Sequence, residues 1–222
     1  FYLLSGTEPY FIDRFEAKIT EKLTDEASRS FDYSLFYGKE VEPREVIETA
    51  KRFPLLATYH LVVVREAQHL DKSTDLIAEY LSQPQKKTII VFCYKYKPFD
   101  KRKKLYKVAK KIGAVLETKV LYDNQVEKWI ANSLKAAKFK IEAKPLQILS
   151  EALGSDLSKI EKEVEKLKIV LDENTQITPE LIEQHVGFSK DFNNFELYKA
   201  VGMRDFYHCT KIVKYMAENP KN

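Results

Sequence analysis

Gly6 is the residue at which nucleotide chemistry would start. It follows the apolar run Tyr2-Leu3-Leu4 and precedes a segment with Phe11, Ile12, Phe15 and Ile19 at helical spacing. Strand, glycine, helix is the frame of a phosphate loop. That loop needs G-x-x-x-x-G-K-[ST], so that backbone N–H groups and a lysine surround the phosphates. Here Gly6 is followed by Thr-Glu-Pro-Tyr-Phe-Ile-Asp-Arg, with no second glycine and no Lys-Ser or Lys-Thr pair. Glu8 would bring negative charge to a phosphate, and Pro9 lacks a backbone donor. The paired carboxylates that hold magnesium after a buried strand are also missing. Arg65-Glu66-Ala67 follows one apolar run, and Cys93-Tyr94 closes another. The frame is present without its chemistry, and a degenerate ATPase is the enzyme-class alternative.

No other catalytic constellation stands out. His60, His69, His185 and His208 are scattered, and neither H-E-x-x-H, C-x-x-C nor G-x-S-x-G occurs. The expectation is therefore no catalytic residue, no metal and no cofactor. Two stretches could bind instead. "KYKPFDKRKKLYKVAKK", 95–111, holds nine Lys or Arg residues with Tyr96, Phe99 and Tyr106 between them. Lys101, Arg102, Lys103, Lys104 and Lys107 are its candidate contacts to a DNA backbone, with aromatics to stack on bases. The competing reading is a solvated helix face, with Leu105, Val108 and Ile112 turned inward, and the pattern favours it. The second stretch is Phe53-Pro54-Leu55-Leu56-Ala57, between a helix ending near Arg52 and a strand starting near Leu61. Connections run over the surface, so three large apolar side chains there either tuck under the sheet or form an exposed tip fit for a partner. Pattern alone favours burial.

The elements that would carry these residues alternate in the first half. Strands are expected at 1–6, 31–38, 60–66, 87–94 and 114–120. Helices are expected at 9–23, 42–52, 70–82 and 100–113, the last capped by Gly113. The apolar runs "LVVV" and "IIVF" read as strands buried on both faces, which implies a mostly parallel sheet covered by helices on both sides. After residue 122 the spacing becomes helical throughout and no strand is expected. Asn124 and Thr178 are candidate N-caps, and Gly154 and Gly187 candidate stops. "FSKDFNNF" reads as a polar connection, and helices follow near 194–202 and 204–217.

The totals fit a globular chain of 222 residues, 44% hydrophobic and 32% charged, with net charge +4. Cys93 and Cys209 are far apart in apolar surroundings, so a reducing cytoplasm is the expected compartment. No run is long enough to span a membrane. The sequence lacks an initiator Met and ends in Ala-Glu-Asn-Pro-Lys-Asn. It is expected to be either a trimmed chain or the ordered part of a longer protein.

Four segments, in order, resemble the delta subunit family of the bacterial DNA polymerase III clamp loader. They are "YLLSGTEPYFID" (2–13), "RFPLLATYHLVVVREAQHL" (52–70), "FDKRKKLYKVAKKIGAVLE" (99–117) and "LGSDLSKIEKEVEKLKIV" (153–170). The resemblance implies an AAA+-like α/β domain without phosphate loop at 1–122. A helical lid domain would follow at 123–190, and a truncated helical collar domain would begin at 191–222. It implies a non-catalytic subunit of a polymerase holoenzyme whose assembly has nucleotidyltransferase activity. Its partners would be the sliding clamp, ATP-binding loader subunits, delta prime and primed DNA. By this resemblance the frame would persist because it builds a spiral with ATP-binding neighbours. The related delta prime subunit would carry zinc-ligand cysteines and Ser-Arg-Cys, which this sequence lacks. The resemblance also turns the expectation for the tip. Leu55 and Leu56 match the adjacent apolar pair that enters a pocket on the clamp, with Pro54 before them and Phe53 expected to support them from behind.

Overall fold

Tyr2–Gly6 (β1) and Thr88–Lys95 (β4) pair in parallel at the centre of a five-stranded sheet, order β2-β3-β4-β1-β5. The others are Tyr33–Tyr37 (β2), His60–Arg65 (β3) and Ala114–Thr118 (β5), and every pairing in this sheet is parallel. The computed structural model describes residues 1–186 and 194–218. The chain divides into two units, Phe1–Val120 and Leu121–Asn222.

In the first unit the two sheet faces follow from side-chain alternation. Leu3, Val62, Val64, Ile90 and Phe92 are buried with α3 (Pro43–Ala50), α4 (Thr74–Tyr80) and α5 (Lys104–Ile112). Leu4, Leu61, Val63, Val91 and Cys93 face the other way, against Ile12, Phe15 and Ile19 of α1 (Pro9–Leu23). Burying each such aliphatic side chain stabilises the fold by roughly 1.5–3 kcal/mol. That is why β3 and β4 show unbroken apolar runs. The parallel sheet with helices on both faces is the architecture read from the sequence.

Several local expectations change. Residues 26–32 form a helix, α2 (Glu26–Asp32), capped by Asp25, whose Oδ1 accepts the Ser28 N–H at 2.7 Å. Phe31 and Asp32 therefore belong to a helix end and not to a strand. The helix expected at 70–82 is a 3-10 turn, Ala67–Ser73, leading into α4. The helix expected from residue 100 begins at Lys104, because Asp100 closes a turn by accepting the Arg102 N–H at 2.9 Å. Ile112 is exposed at that helix's end, and the buried face is Leu105 and Ala109.

Cys93 lies in the core, and burial pushes its thiol up to about 12. Cys209 is only partly buried. A disulfide-exchange reagent is expected to modify one thiol readily in the native protein and the second only on unfolding. Two equally fast thiols would contradict this packing.

The second unit is helical. Helices α6 (Asp123–Ala136), α7 (Ala143–Leu153), α8 (Leu157–Val170) and α9 (Pro179–Val186) bury Ile130, Leu134, Leu149, Leu157, Ile160, Val164 and Ile182. Two strands not foreseen, Lys140–Ile141 (β6) and Gln176–Ile177 (β7), pair in parallel. Two residues are too few to show a period of two. α6 starts before Asn124, with Tyr122 at the cap position and its N–H bonded to Gln125 Oε1 at 3.0 Å. Gly154, at φ 64°, ends α7 in the left-handed region that favours glycine. Asp156 then caps α8 by accepting N–H groups of Ser158 and Lys159. The Gly-x-Asp-Leu motif is thus a stop followed by a start. Thr178 precedes α9, and its hydroxyl accepts the Leu181 N–H at 3.4 Å. The expected stop at Gly187 and most of the polar connection lie outside the described residues. α10 (Asn194–Gly202) and α11 (Phe206–Glu218) follow, close to the positions expected. Among the described residues no helix is long and apolar enough to cross a membrane.

Candidate functional site

The Gly6 corner is closed. Only Thr7 and Glu8 separate β1 from α1, too few for a loop that wraps phosphates. Gly6 sits at φ 151°, and a Cβ there would lie 2.0 Å from the Thr118 carbonyl oxygen. Thr7 N–H donates to that same carbonyl at 3.1 Å, and Thr118 Oγ1 donates to the Glu8 carbonyl at 2.8 Å. The end of β5 thus seals the segment. Glu8 is buried and caps α1 with its own carboxylate, Oε1 accepting the Tyr10 N–H at 3.0 Å. The helix N-terminus, where an anion would bind, carries a built-in one. At the end of β3, Arg65 forms a two-pronged pair with buried Glu16, at 2.9 Å and 3.1 Å to Oε2. Glu66 lies within 3.6 Å of His69 and 3.5 Å of Lys39. No group of three or more His, Cys, Asp or Glu side chains among the described residues is placed to hold a metal.

The opposite, N-terminal end of the parallel strands carries the apolar tip. α3 ends at Ala50, and β3 begins at His60, whose N–H donates to the Lys87 carbonyl at 2.8 Å. Between them Phe53, Leu55 and Leu56 are 69%, 74% and 63% exposed, while Pro54 is half-buried. These leucines do not tuck under the sheet. Phe53 is exposed beside them, so it widens the apolar surface instead of backing it.

The reason is Asp32, which sequence reasoning had placed in a strand. Its side chain is 1% exposed. Oδ1 accepts the Leu55 N–H at 2.6 Å, and Oδ2 accepts those of Leu56 and Ala57 at 2.7 Å and 2.6 Å. Burial alone would push this carboxyl up. The N–H groups of Ala57, Leu55 and Leu56, helped by His60, outweigh it and hold the group below the usual carboxylate range. His60, itself buried, is pushed down by burial against the pull of Asp32, and its Nε2 lies 3.1 Å from Ser34 Oγ. With its N–H groups drawn inward to one carboxylate, the loop exposes its leucines.

The basic run is dispersed. Lys101 pairs with Glu117 at 2.7 Å, Arg102 with Asp100 at 2.8 Å and Lys103 with Asp71 at 2.6 Å. Lys104 and Lys107 are exposed on α5 with Lys110 and Lys111. Of the interleaved aromatics, Phe99 is buried at 5.0 Å from the Tyr94 ring and Tyr106 donates to Glu117 at 2.8 Å. Only Tyr96 of the three is well exposed.

A family model described as DNA polymerase III, delta subunit, matches residues 2–119. The DNA polymerase III subunit delta of Bacillus subtilis is 25% identical over 209 residues, which cover 90% of this chain and 60% of that protein. The solved structure of the Bacillus subtilis DNA clamp loader delta protein, YqeN, superposes with a TM-score of 0.77 at 25% identity, covering 98% of this chain and 67% of that one. A RuvB variant of Thermotoga maritima shares the fold at a TM-score of 0.50 and 10% identity, covering 90% of this chain and 67% of that chain. The AAA+-like arrangement expected from the resemblance is the one found.

Proposed function

The chain belongs to the DNA polymerase III delta subunit family, and on that premise we propose that it grips a ring-shaped sliding clamp through Leu55 and Leu56 and holds the ring open for loading onto primed DNA. The observation that carries the reading is the tip itself: adjacent leucines, exposed and pinned from below by Asp32. A few well-packed, desolvated residues supply most of the energy of a protein interface, and adjacent leucines contribute to one through the apolar area they bury. Phe53 and Pro54 would complete the docking surface. The closed Gly6 corner supports a subunit that keeps the frame for assembly and leaves nucleotide hydrolysis to its neighbours.

Those neighbours would be the ATP-binding loader subunits and delta prime, with residues 123–190 as a lid and 191–222 as the beginning of a collar used in assembly. The chain itself would perform no catalysis, and it would work in the cytoplasm within the polymerase holoenzyme. Lys104 and Lys107 would face DNA in the loaded complex more readily than Lys101, Arg102 and Lys103, whose charges are already paired.

The test is binding of this chain to the sliding clamp of the same organism, by surface plasmon resonance and without nucleotide. Saturable binding is expected. No clamp binding, together with steeply salt-dependent binding to DNA, would favour a DNA-binding module built on 95–111.

A further inference from the structure

We propose that Asp32 is a positioning residue: its buried carboxylate gathers the N–H groups of Leu55, Leu56 and Ala57 and so fixes the leucine tip in one conformation before any partner arrives. The proposal rests on the reading of the tip as a docking site, and its own content is the holding of the loop.

Three features carry it. First, the bonds are short, at 2.6, 2.7 and 2.6 Å, and all end on one carboxylate that is 1% exposed. Bonds from N–H groups to an ionised acceptor are about twice as strong as neutral ones. Successive N–H groups curled around one anion form a concave nest. Second, the bonds reach across the fold. Asp32 ends α2 and sits next to β2, whereas the tip lies 23 to 25 residues further on. The tip is thereby fastened to the N-terminal edge of the sheet, where Tyr33 of β2 pairs with Leu61 of β3. Third, the other backbone bonds of the loop lie at its base, where the Lys51 and Arg52 N–H groups donate to the Ile47 and Thr49 carbonyls at 3.0 and 3.1 Å. Residues 51–59 contain neither helix nor strand. At its base the Arg52 carbonyl accepts the Thr88 hydroxyl at 3.4 Å, a long bond.

An unheld loop bearing exposed leucines would order only on docking. The docking-competent form would then be a fraction of the population, and apparent affinity would fall by that fraction. Fixing the loop in the free chain removes this cost. Loss of Asp32 should therefore act on association, which slows when a conformational change must precede binding. Loss of the leucines should act on dissociation.

The experiment pairs hydrogen exchange with binding kinetics. In the wild-type chain the Leu55, Leu56 and Ala57 amides should exchange at least about tenfold more slowly than free peptide amides, although the side chains are exposed. Free exchange in the wild type would overturn the proposal without any variant. In Asp32→Asn an amide NH2 replaces one acceptor oxygen, so at least one N–H meets a donor. Those three amides should then exchange on the order of tenfold faster, and association with the sliding clamp should slow on the order of tenfold. The thermal midpoint should fall by no more than about 10 °C, as expected when a buried N–H is left against a donor, with the circular dichroism of the folded chain retained. A folded Asp32→Asn with unchanged exchange and unchanged association overturns the proposal. If the wild-type chain fails to bind the clamp, the docking reading fails. Exchange at the three amides still decides the role of Asp32: faster exchange in the variant supports it, and equal exchange refutes it.

Discussion

Replacing Leu55 and Leu56 together with alanine is expected to weaken binding to the sliding clamp on the order of a hundredfold, with the chain still folded. Full burial of two leucines would yield roughly 3–6 kcal/mol. These side chains are already about a third shielded, being 74% and 63% exposed, so roughly 2–4 kcal/mol is available on docking. Each ~1.4 kcal/mol is a factor of ten in Kd. The folded state loses little, because exposed side chains away from special features change stability by about 0.5 kcal/mol or less. Circular dichroism and the thermal midpoint should therefore match the wild type while the dissociation rate rises. A folded double variant that binds the clamp as tightly as the wild type would place the anchor elsewhere. The same substitution in a pair buried under the sheet would instead lower stability by several kcal/mol, so the two measurements together distinguish a tip from a core.

Gly6→Ala is expected to be a strongly damaging change at the C-terminal end of the parallel strands. The residue's φ of 151° is a region that side-chain-bearing residues rarely adopt, at a cost of about 1–3 kcal/mol. The added methyl would also lie 2.0 Å from the Thr118 carbonyl oxygen and 2.3 Å from its hydroxyl. Relief would require moving the end of β5 and breaking the Thr7 N–H bond to that carbonyl. A total near 3 kcal/mol would lower the midpoint of the first unit on the order of 10 °C, as read by calorimetry. A shift below about 2 °C would mean the corner has slack, and with it room that the closed geometry denies. This glycine permits close packing of backbone on backbone, which is a structural use of a position where other folds admit a phosphate.

How much of this was legible in the sequence depended on range. β3 and β4 were legible because burial on both faces leaves continuous apolar runs, and α1 because Ile12, Phe15 and Ile19 repeat at helical spacing. α2 was not. Its seven residues hold one large apolar side chain, Phe31, which is exposed, and the following Tyr-Ser-Leu-Phe-Tyr has strand composition. The leucine tip was visible as an anomaly, yet pattern alone favoured burying it. What exposes it is three N–H bonds donated to Asp32, contacts that no local window contains. A polar residue within an apparently apolar run was the signal available. The basic run misled for the same reason. Lys103 meets Asp71 and Lys101 meets Glu117, both distant in sequence, so nine cations within 95–111 overstated the free charge.

Docking of this chain on a sliding clamp is proposed to use its own surface and to need no nucleotide. The direct measurement is the equilibrium binding of the wild-type chain to the clamp of the same organism, by surface plasmon resonance in nucleotide-free buffer, repeated with ATP and magnesium. Saturable binding with the same Kd in both buffers is expected, since the corner after β1 is sealed by Thr118 and Glu8. A folded chain that shows no binding, or one that binds only when ATP is added, would contradict it.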